Sequence, residues 1–307
     1  MFTSSDLQGE IASLLQPIQG RMGVYVKHQP SGATFGHNEL LRFHMASTFK
    51  IPLAIYCLYL VQTKKLSLDQ MVPIDAKDIR PGSGILKQQP KIYPTALLSE
   101  LIRWMMEFSD NTATDLILRL VGGPSALSAY LDEIGFSDIK INRSVIKLLA
   151  DYTGIDSIPP DEKISIREFN ALEKSISPAE KDLAKNKFFV DDRDTATPIA
   201  MGKLIEKLVE DNLLEPKSLN FLLDCMSFCK TGLNRIRGEL PQNTFVAQKT
   251  GTLGGIVNDA GMIRLPKSPQ QLLLVINIDD ATMPLEAKES IIGKISKRFY
   301  DEALALS

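Results

Sequence analysis

The chain has 307 residues, of which 44% are hydrophobic and 23% charged, and its formal net charge is −2. This balance fits one large globular domain or two packed subdomains, and it gives no reason to expect nucleic acid or an anionic membrane as a partner. The apolar run at residues 51–61 contains a proline and is too short to cross a bilayer, so no membrane span is predicted.

Hydrophobic periodicity predicts strands towards the two ends of the chain and helices between them. A helical pattern at 6–15 precedes two short strands at 22–28 and 33–36. Residues 47–200 have helical patterns almost throughout, for example at 96–108 and 124–134. The later elements are helices at 198–209 and 216–228, strands at 244–249, 257–264 and 271–279, and a closing helix at 284–306.

This order of elements predicts an α/β fold of the α+β type. The strands of both ends would form one five-stranded antiparallel sheet flanked by the terminal helices, with an all-α subdomain inserted into it. We place the α/β subdomain at about residues 1–45 and 235–307, and the all-α subdomain at about 46–234.

The cysteines and histidines do not form a recognisable metal site. Cys57 lies in an apolar run, and Cys225 and Cys229 are four residues apart on a predicted helix, where an easy disulfide is out of reach. We therefore predict three buried core cysteines, no metal and no cofactor. The first six residues lack a basic start and an apolar run, so no signal peptide is visible.

The segment Ser47-Thr48-Phe49-Lys50 has the residues of an activated serine. A spacing of three puts Ser47 and Lys50 on one face of a helix. A serine hydroxyl needs a base to become a good nucleophile, and a lysine amine can serve if burial or nearby cations depress its pKa. Pro52 indicates that the helix begins only a few residues earlier, where backbone N–H groups can stabilise an oxyanion. By itself the pattern equally fits a capped helix with an exposed lysine.

The segment Ser109-Asp110-Asn111 lies between two predicted helices, the second starting near residue 112. Ser109 could pass a proton to a departing nitrogen. Asn111 can donate and accept, so it could hold a substrate amide together with Lys50. Asp110 is expected to fix the loop. An ordinary helix N-cap is the alternative.

The segment Lys249-Thr250-Gly251 ends a predicted strand, whose edge could pair with a peptide-like substrate. The glycine leaves room for close approach, Lys249 can hold a carboxylate with Thr250, and Thr252 would supply a second N–H for an oxyanion. An earlier K-T-G, at residues 230–232, follows a helix and is interpreted as a helix C-terminal signal.

The ordered set S-x-x-K, S-D-N and K-T-G resembles the serine acyltransferases that react with penicillin, and most closely the class A β-lactamases. S-x-x-K also occurs at Ser137, Ser144 and Ser227. Ser47 is the predicted nucleophile, because it alone among the four serines precedes S-D-N and opens an apolar helix.

The resemblance implies a β-lactamase/transpeptidase-like fold and a serine hydrolase that opens the β-lactam amide through an acyl-serine intermediate. It also implies a small-molecule β-lactam or a D-Ala-D-Ala peptide as ligand, a monomer, and a periplasmic or secreted location. Two alternatives are a D-alanyl-D-alanine carboxypeptidase of similar fold and a non-hydrolysing penicillin-binding or sensor domain.

Further residues follow from the resemblance alone. An arginine at the position of Arg237 helps to bind the substrate carboxylate, and residues 193–198 (R-D-T-A-T-P) resemble the end of the family's active-site loop. That loop carries a glutamate that activates the deacylating water. Here no acid directly follows Arg143, and an insertion at about residues 144–178 intervenes. Glu180 is the first candidate for the base and Glu168 the second; the alternative is that Glu180 is a solvated acid at a helix start.

Overall fold

The computed structural model describes residues 2, 5–88, 94–210, 213–266, 269–280 and 282–305. Within these residues the chain forms eleven α-helices and nine strands. The helices are α1 Ser5–Leu15, α2 Lys50–Gln62, α3 Leu98–Glu107, α4 Asn111–Leu120, α5 Gly123–Glu133, α6 Val145–Thr153, α7 Ile166–Ser175, α8 Pro178–Val190, α9 Pro198–Glu210, α10 Pro216–Ser227 and α11 Leu285–Ala305. The strands are β1 Arg21–Gln29, β2 Thr34–His37, β3 Phe43–His44, β4 Met71–Pro73, β5 Thr95–Leu97, β6 Thr195–Ala196, β7 Val246–Leu253, β8 Ile256–Arg264 and β9 Gln271–Asp279.

The predicted five-stranded antiparallel sheet is confirmed. Its order is β2-β1-β9-β8-β7, so strands from both ends of the chain pair through β1 and β9. The central strand β9 has the predicted bounds and is buried along almost its whole length, because helices cover both faces of the sheet. The predicted closing helix is α11; the last residue of that prediction, 306, lies outside the described residues.

The chain divides into two compact units, the described parts of residues 1–51 with 195–307, and residues 52–194. The second boundary differs from the one expected near residue 235. Helices α9 and α10 pack on the strands of the sheet, α9 mainly against β1 and β9 and α10 against β7. Their apolar faces are therefore part of the first unit's core, although a helical pattern alone cannot show which neighbour it covers.

The second unit is mainly helical, as predicted, but it also contains the short antiparallel pair of β4 and β5. Helices α6 and α7 form most of the inserted segment and contribute to a small apolar core. Its buried members are Ile146, Ala150, Ile155, Ile164 and Phe169. The insertion thus folds as a helical element and not as an extended loop.

The three cysteines are buried, as the sequence predicted, and none of them forms a disulfide. None of the helices in the described ranges combines the length and apolarity that crossing a membrane requires.

Candidate active site

The turn that carries Ser47 is a single 3-10 turn, Ala46–Phe49, which leads directly into α2. Ala46 has a φ of 45°, an uncommon left-handed conformation for a residue with a side chain. The Asn258 side chain of β8 ties this turn to the sheet, because its Nδ2 donates to His44 O at 2.8 Å and to Met45 O at 3.0 Å. The turn is therefore held in a strained conformation by a buried partner.

Ser47 is partly exposed, whereas the other residues from Phe43 to Lys50 are buried. Lys50 is fully buried at the start of α2, one turn beyond the serine. A nucleophile must be reachable by a substrate, and a basic amine gains from exclusion of water, so the exposure of the two residues fits the predicted roles.

Strand β7 carries the second K-T-G and lies against the turn of Ser47 in the first unit. It is a terminal strand of the sheet, and no further described strand pairs with its outer edge. At Gly251 an added Cβ would lie 2.6 Å from Met45 O and 3.1 Å from the Ser47 amide nitrogen. Only glycine allows this approach, which brings the main chain of β7 next to the main chain of the nucleophile.

Lys249 is fully buried, and its Nζ donates to Thr250 O at 2.8 Å. Burial lowers the pKa of Lys249 to about 8, although the nearby carboxyl of Asp259 opposes this shift. Asp259 is itself fully buried; burial raises its pKa to about 7, with Arg235 and the Ile236 amide acting in the opposite direction. The charge of Asp259 therefore favours the protonated form of Lys249, and the charge of Lys249 favours the ionised form of Asp259.

Two arginines near β7 have different partners. Arg237, predicted to bind the substrate carboxylate, donates through Nη2 to Ser227 O at 2.7 Å and Val246 O at 2.9 Å. Arg235 instead donates to Thr252 Oγ1 at 2.7 Å and to Gly251 O at 3.0 Å. Arg235 is therefore the arginine at the K-T-G residues themselves, a role that the resemblance did not imply for it.

The buried guanidinium of Arg235 is held on its other side by Glu289 of α11, whose Oε1 accepts from Nε at 3.0 Å. Its Nη1 also donates to Asn258 O at 2.8 Å. Four partners fix the plane of this guanidinium, so that Nη2 remains directed at the hydroxyl of Thr252.

The S-D-N segment lies in the second unit, between α3 and α4. Ser109 has a φ of 54°, and Asp110 is the N-cap of α4, accepting from the Ala113 amide at 2.9 Å. Asn111 is the first residue of α4. The sequence offered two roles for Asp110, fixing the loop and capping the helix, and its carboxylate has both. It caps α4, and it fixes the loop by accepting from Leu86 N at 2.9 Å.

A preceding glycine-rich segment supports S-D-N. Ser83 Oγ donates to Ser109 O at 2.8 Å, and Asn111 Nδ2 donates to Pro81 O at 2.9 Å. A Cβ at Gly84 would lie 2.4 Å from the Asp110 carboxyl carbon. The sequence P-G-S-G at residues 81–84 was the available signal for this close approach.

Glu180 and Glu168 both lie at the start of an exposed helix. The Glu180 carboxylate accepts from Ser177 N at 2.8 Å and Ser177 Oγ at 2.6 Å, and Glu168 makes the corresponding bonds with Ser165. These hydrogen bonds lower the pKa of both carboxyl groups. The structure therefore supports the alternative interpretation of Glu180, an acid at a helix start in a capping box.

One ion pair joins the two ends of the segment that contains helices α6 to α8. Arg143, just before α6, pairs with buried Asp194, whose carboxylate also accepts from Asn142 N at 2.8 Å. Arg143 contacts Asp151 at 2.7 Å as well. The loop ends inferred from the resemblance are thus joined, and the helices α6 to α8 are inserted between them.

Comparison with known proteins identifies the family. A profile of the Beta-lactamase enzyme family (Beta-lactamase2) matches residues 6–303. The β-lactamase VEB-1 of Pseudomonas aeruginosa is 27% identical over 303 residues, covering 96% of this chain and 89% of that protein. The β-lactamase SME-1 of Serratia marcescens is 29% identical over 270 residues, covering 87% and 79%.

Comparison with solved structures gives the same family. A β-lactamase from Chitinophaga pinensis superposes with a TM-score of 0.79 at 25% identity, covering 97% of this chain and all of that one. An ancestral class A β-lactamase gives a TM-score of 0.77 at 26% identity, covering 96% and 99%. The chain belongs to the Beta-lactamase enzyme family, with the class A fold, and is a serine β-lactam hydrolase.

Proposed function

We propose that Ser47 is the nucleophile and Lys50 its base. Ser47 Oγ attacks the β-lactam carbonyl while its proton passes to the Lys50 amine, and collapse of the tetrahedral intermediate breaks the C–N bond to give the acyl-serine. The observation that carries this proposal is the placement of a partly exposed Ser47 between a buried Lys50 and the main chain of β7. The Ser47 and Thr252 amides would hold the oxyanion.

We assign the substrate carboxylate to Thr250, Thr252, Lys249 and Arg235. Thr250 and Thr252 alternate along β7, so their side chains lie on one face of the strand. Arg235 donates to the Thr252 hydroxyl and has no acceptor capacity, so the Thr252 proton is available for an anionic ligand. The carboxylate-binding role inferred for Arg237 therefore passes to Arg235, whose guanidinium contacts Gly251 and Thr252.

The proposed roles of Ser109 and Asn111 rest on the motif order in the sequence. Ser109 would protonate the departing nitrogen, and Asn111 would hold the substrate amide. Their local support is the P-G-S-G segment, which fixes the left-handed backbone of Ser109.

We infer that Glu180 stabilises the start of α8 and does not activate the deacylating water. A general base needs a pKa near the working pH, whereas the hydrogen bonds from Ser177 lower the pKa of this exposed carboxyl group. Glu168 has the same arrangement with Ser165. Without either glutamate as base, deacylation is expected to limit turnover.

Two finer inferences rest on the family alone. The protein acts as a monomer on a small molecule, and its location is the periplasm or the extracellular space. A D-alanyl-D-alanine peptide carries the same terminal carboxylate as a β-lactam, so the proposed carboxylate site also admits carboxypeptidase activity as a second candidate.

Paired serine variants test the nucleophile. Ser47 and Ser227 both begin an S-x-x-K segment, but Ser227 Oγ donates to Asp224 O within α10. Ser47→Ala should abolish hydrolysis of a chromogenic cephalosporin, and Ser227→Ala should retain it. Loss of activity in Ser227→Ala with full activity in Ser47→Ala would overturn the assignment. Release of D-alanine from a D-Ala-D-Ala peptide by the wild type would establish the second activity.

A further inference from the structure

The first K-T-G segment of the chain, residues 230–232, lies against the second. Thr231 Oγ1 forms a hydrogen bond with Thr250 Oγ1. A Cβ added to Gly232, which has a φ of 56°, would lie 2.8 Å from Thr250 Cγ2. The segment was predicted to be only the end of a helix, and α10 does end just before it, at Ser227. Its threonine, however, contacts the threonine of the proposed substrate site.

The Thr231 hydroxyl has a second polar neighbour, the thiol of Cys229. The buried thiol of Cys229 donates to Thr231 O at 3.6 Å, and its sulfur lies 3.4 Å from Thr231 Oγ1. Cys229, Thr231 and Thr250 thus form a row of three groups, each with one proton to donate. The row leads from the interior of the first unit to the hydroxyl that the proposed function places on the substrate carboxylate.

The direction of donation in this row decides what Thr250 can bind. If Thr250 donates to Thr231, the Thr250 hydroxyl offers a ligand only lone pairs. If Thr231 donates to Thr250, the Thr250 proton is available for an anion. This direction is favoured because the other neighbour of Thr231 Oγ1 is the sulfur of Cys229, a weaker acceptor than a hydroxyl oxygen. The hydroxyl of Thr252 also keeps its proton available for an anion, because Arg235 can only donate to its oxygen. Both threonines of β7 would then present protons to one carboxylate.

We propose that Thr231 is a positioning residue for substrate specificity: as a hydrogen-bond donor to Thr250, it directs the Thr250 hydroxyl proton to the carboxylate of the substrate. This inference rests on the proposed carboxylate site. The chemical class selected is an amide or lactam substrate with an ionised carboxylate, in preference to its neutral ester.

The test compares a penicillin with its methyl ester. The wild type should hydrolyse the acid with a higher kcat/KM than the ester. Thr231→Val keeps the shape of the side chain without its hydroxyl, and it should lower kcat/KM for the acid by roughly tenfold, mainly through KM, with little change for the ester. Thr231→Ser restores a donor and should recover most of the preference for the acid. Cys229→Ala should lower that preference less than Thr231→Val does.

Each outcome has a separate meaning. If the wild type does not distinguish acid from ester, the proposed carboxylate site itself is wrong. If the wild type distinguishes them and Thr231→Val does so equally well, only the role of Thr231 is refuted. An equal loss for acid and ester in Thr231→Val, without recovery in Thr231→Ser, would show a purely structural role. Thermal unfolding of the variants confirms that each one is folded.

Discussion

Gly251→Ala tests the approach of β7 to the nucleophile. The new Cβ would lie 2.6 Å from Met45 O and 3.1 Å from Ser47 N, and both atoms belong to the main chain. The turn cannot easily move away, because Asn258 holds the carbonyls of His44 and Met45. The strand is equally fixed, since the Gly251 carbonyl accepts from a buried guanidinium and the strand pairs with β8 along its length.

The expected effect is large on activity and moderate on stability. Overpacking of this kind costs about 1–3 kcal/mol of folding free energy. Relief of the clash requires a main-chain shift approaching 1 Å, and a misplacement of about 1 Å in a catalytic site costs on the order of 10²-fold in rate. Stopped-flow acylation with a chromogenic cephalosporin should therefore show a loss of roughly 10²-fold, alongside a lower thermal unfolding temperature.

The matched control is Gly9→Ala in α1, where an added Cβ has no neighbour within 4 Å. It should leave acylation unchanged and stabilise the protein by about 0.5–1 kcal/mol, because alanine favours a helix. If Gly251→Ala acylates at the wild-type rate, the main chain of β7 does not form the oxyanion site with Ser47.

Three further substitutions test the surrounding groups. Arg235→Lys keeps the charge without the planar fork and should raise KM for penicillins roughly tenfold, corresponding to about 1.5 kcal/mol for a charged hydrogen bond, whereas Arg237→Lys should not. Glu180→Gln should leave the deacylation rate within about twofold of wild type in single-turnover measurements, since loss of a true general base costs about 10²–10⁴-fold. Asp259→Asn removes a negative charge that raises the pKa of Lys249, so the alkaline limb of kcat/KM, expected near pH 8, should move to lower pH.

Each of these three predictions has a result that would contradict it. Equal KM changes in the two arginine variants would show that neither guanidinium distinguishes the carboxylate. A long-lived acyl-enzyme in Glu180→Gln, absent in Glu168→Gln and in wild type, would restore Glu180 as the base. An unchanged alkaline limb in Asp259→Asn would show that another group controls it.

The strands of the five-stranded sheet were predictable because their signals are local. Alternating apolar residues indicate β1, and a nearly continuous apolar run indicates β9. Ser47 is the candidate nucleophile because of the order of the motifs along the chain. The capping box of Glu180 was also visible, since S-x-x-E occurs at Ser177 and again at Ser165. The role of Glu180 as the base is implied only by the resemblance, whereas the capping box is a local signal.

The other features depend on packing between distant parts of the chain. Arg235 and Arg237 are two residues apart, and only the path of the turn decides which one contacts Gly251 and Thr252 of β7. The contact between Thr231 and Thr250 joins two K-T-G segments whose spacing carries no information about proximity. The boundary between the units follows from α9 and α10 covering the sheet, which a helical pattern does not specify.

The most direct test of the central claim is the position of the acyl group. The protein is mixed with penicillin, quenched in acid, digested with trypsin and analysed by mass spectrometry over time. The adduct is expected on the peptide of residues 43–50, which contains Ser47, and its amount should rise quickly and then decay as the acyl-enzyme hydrolyses. An adduct on residues 218–230, which contain Ser227, or no adduct during active hydrolysis would contradict the account.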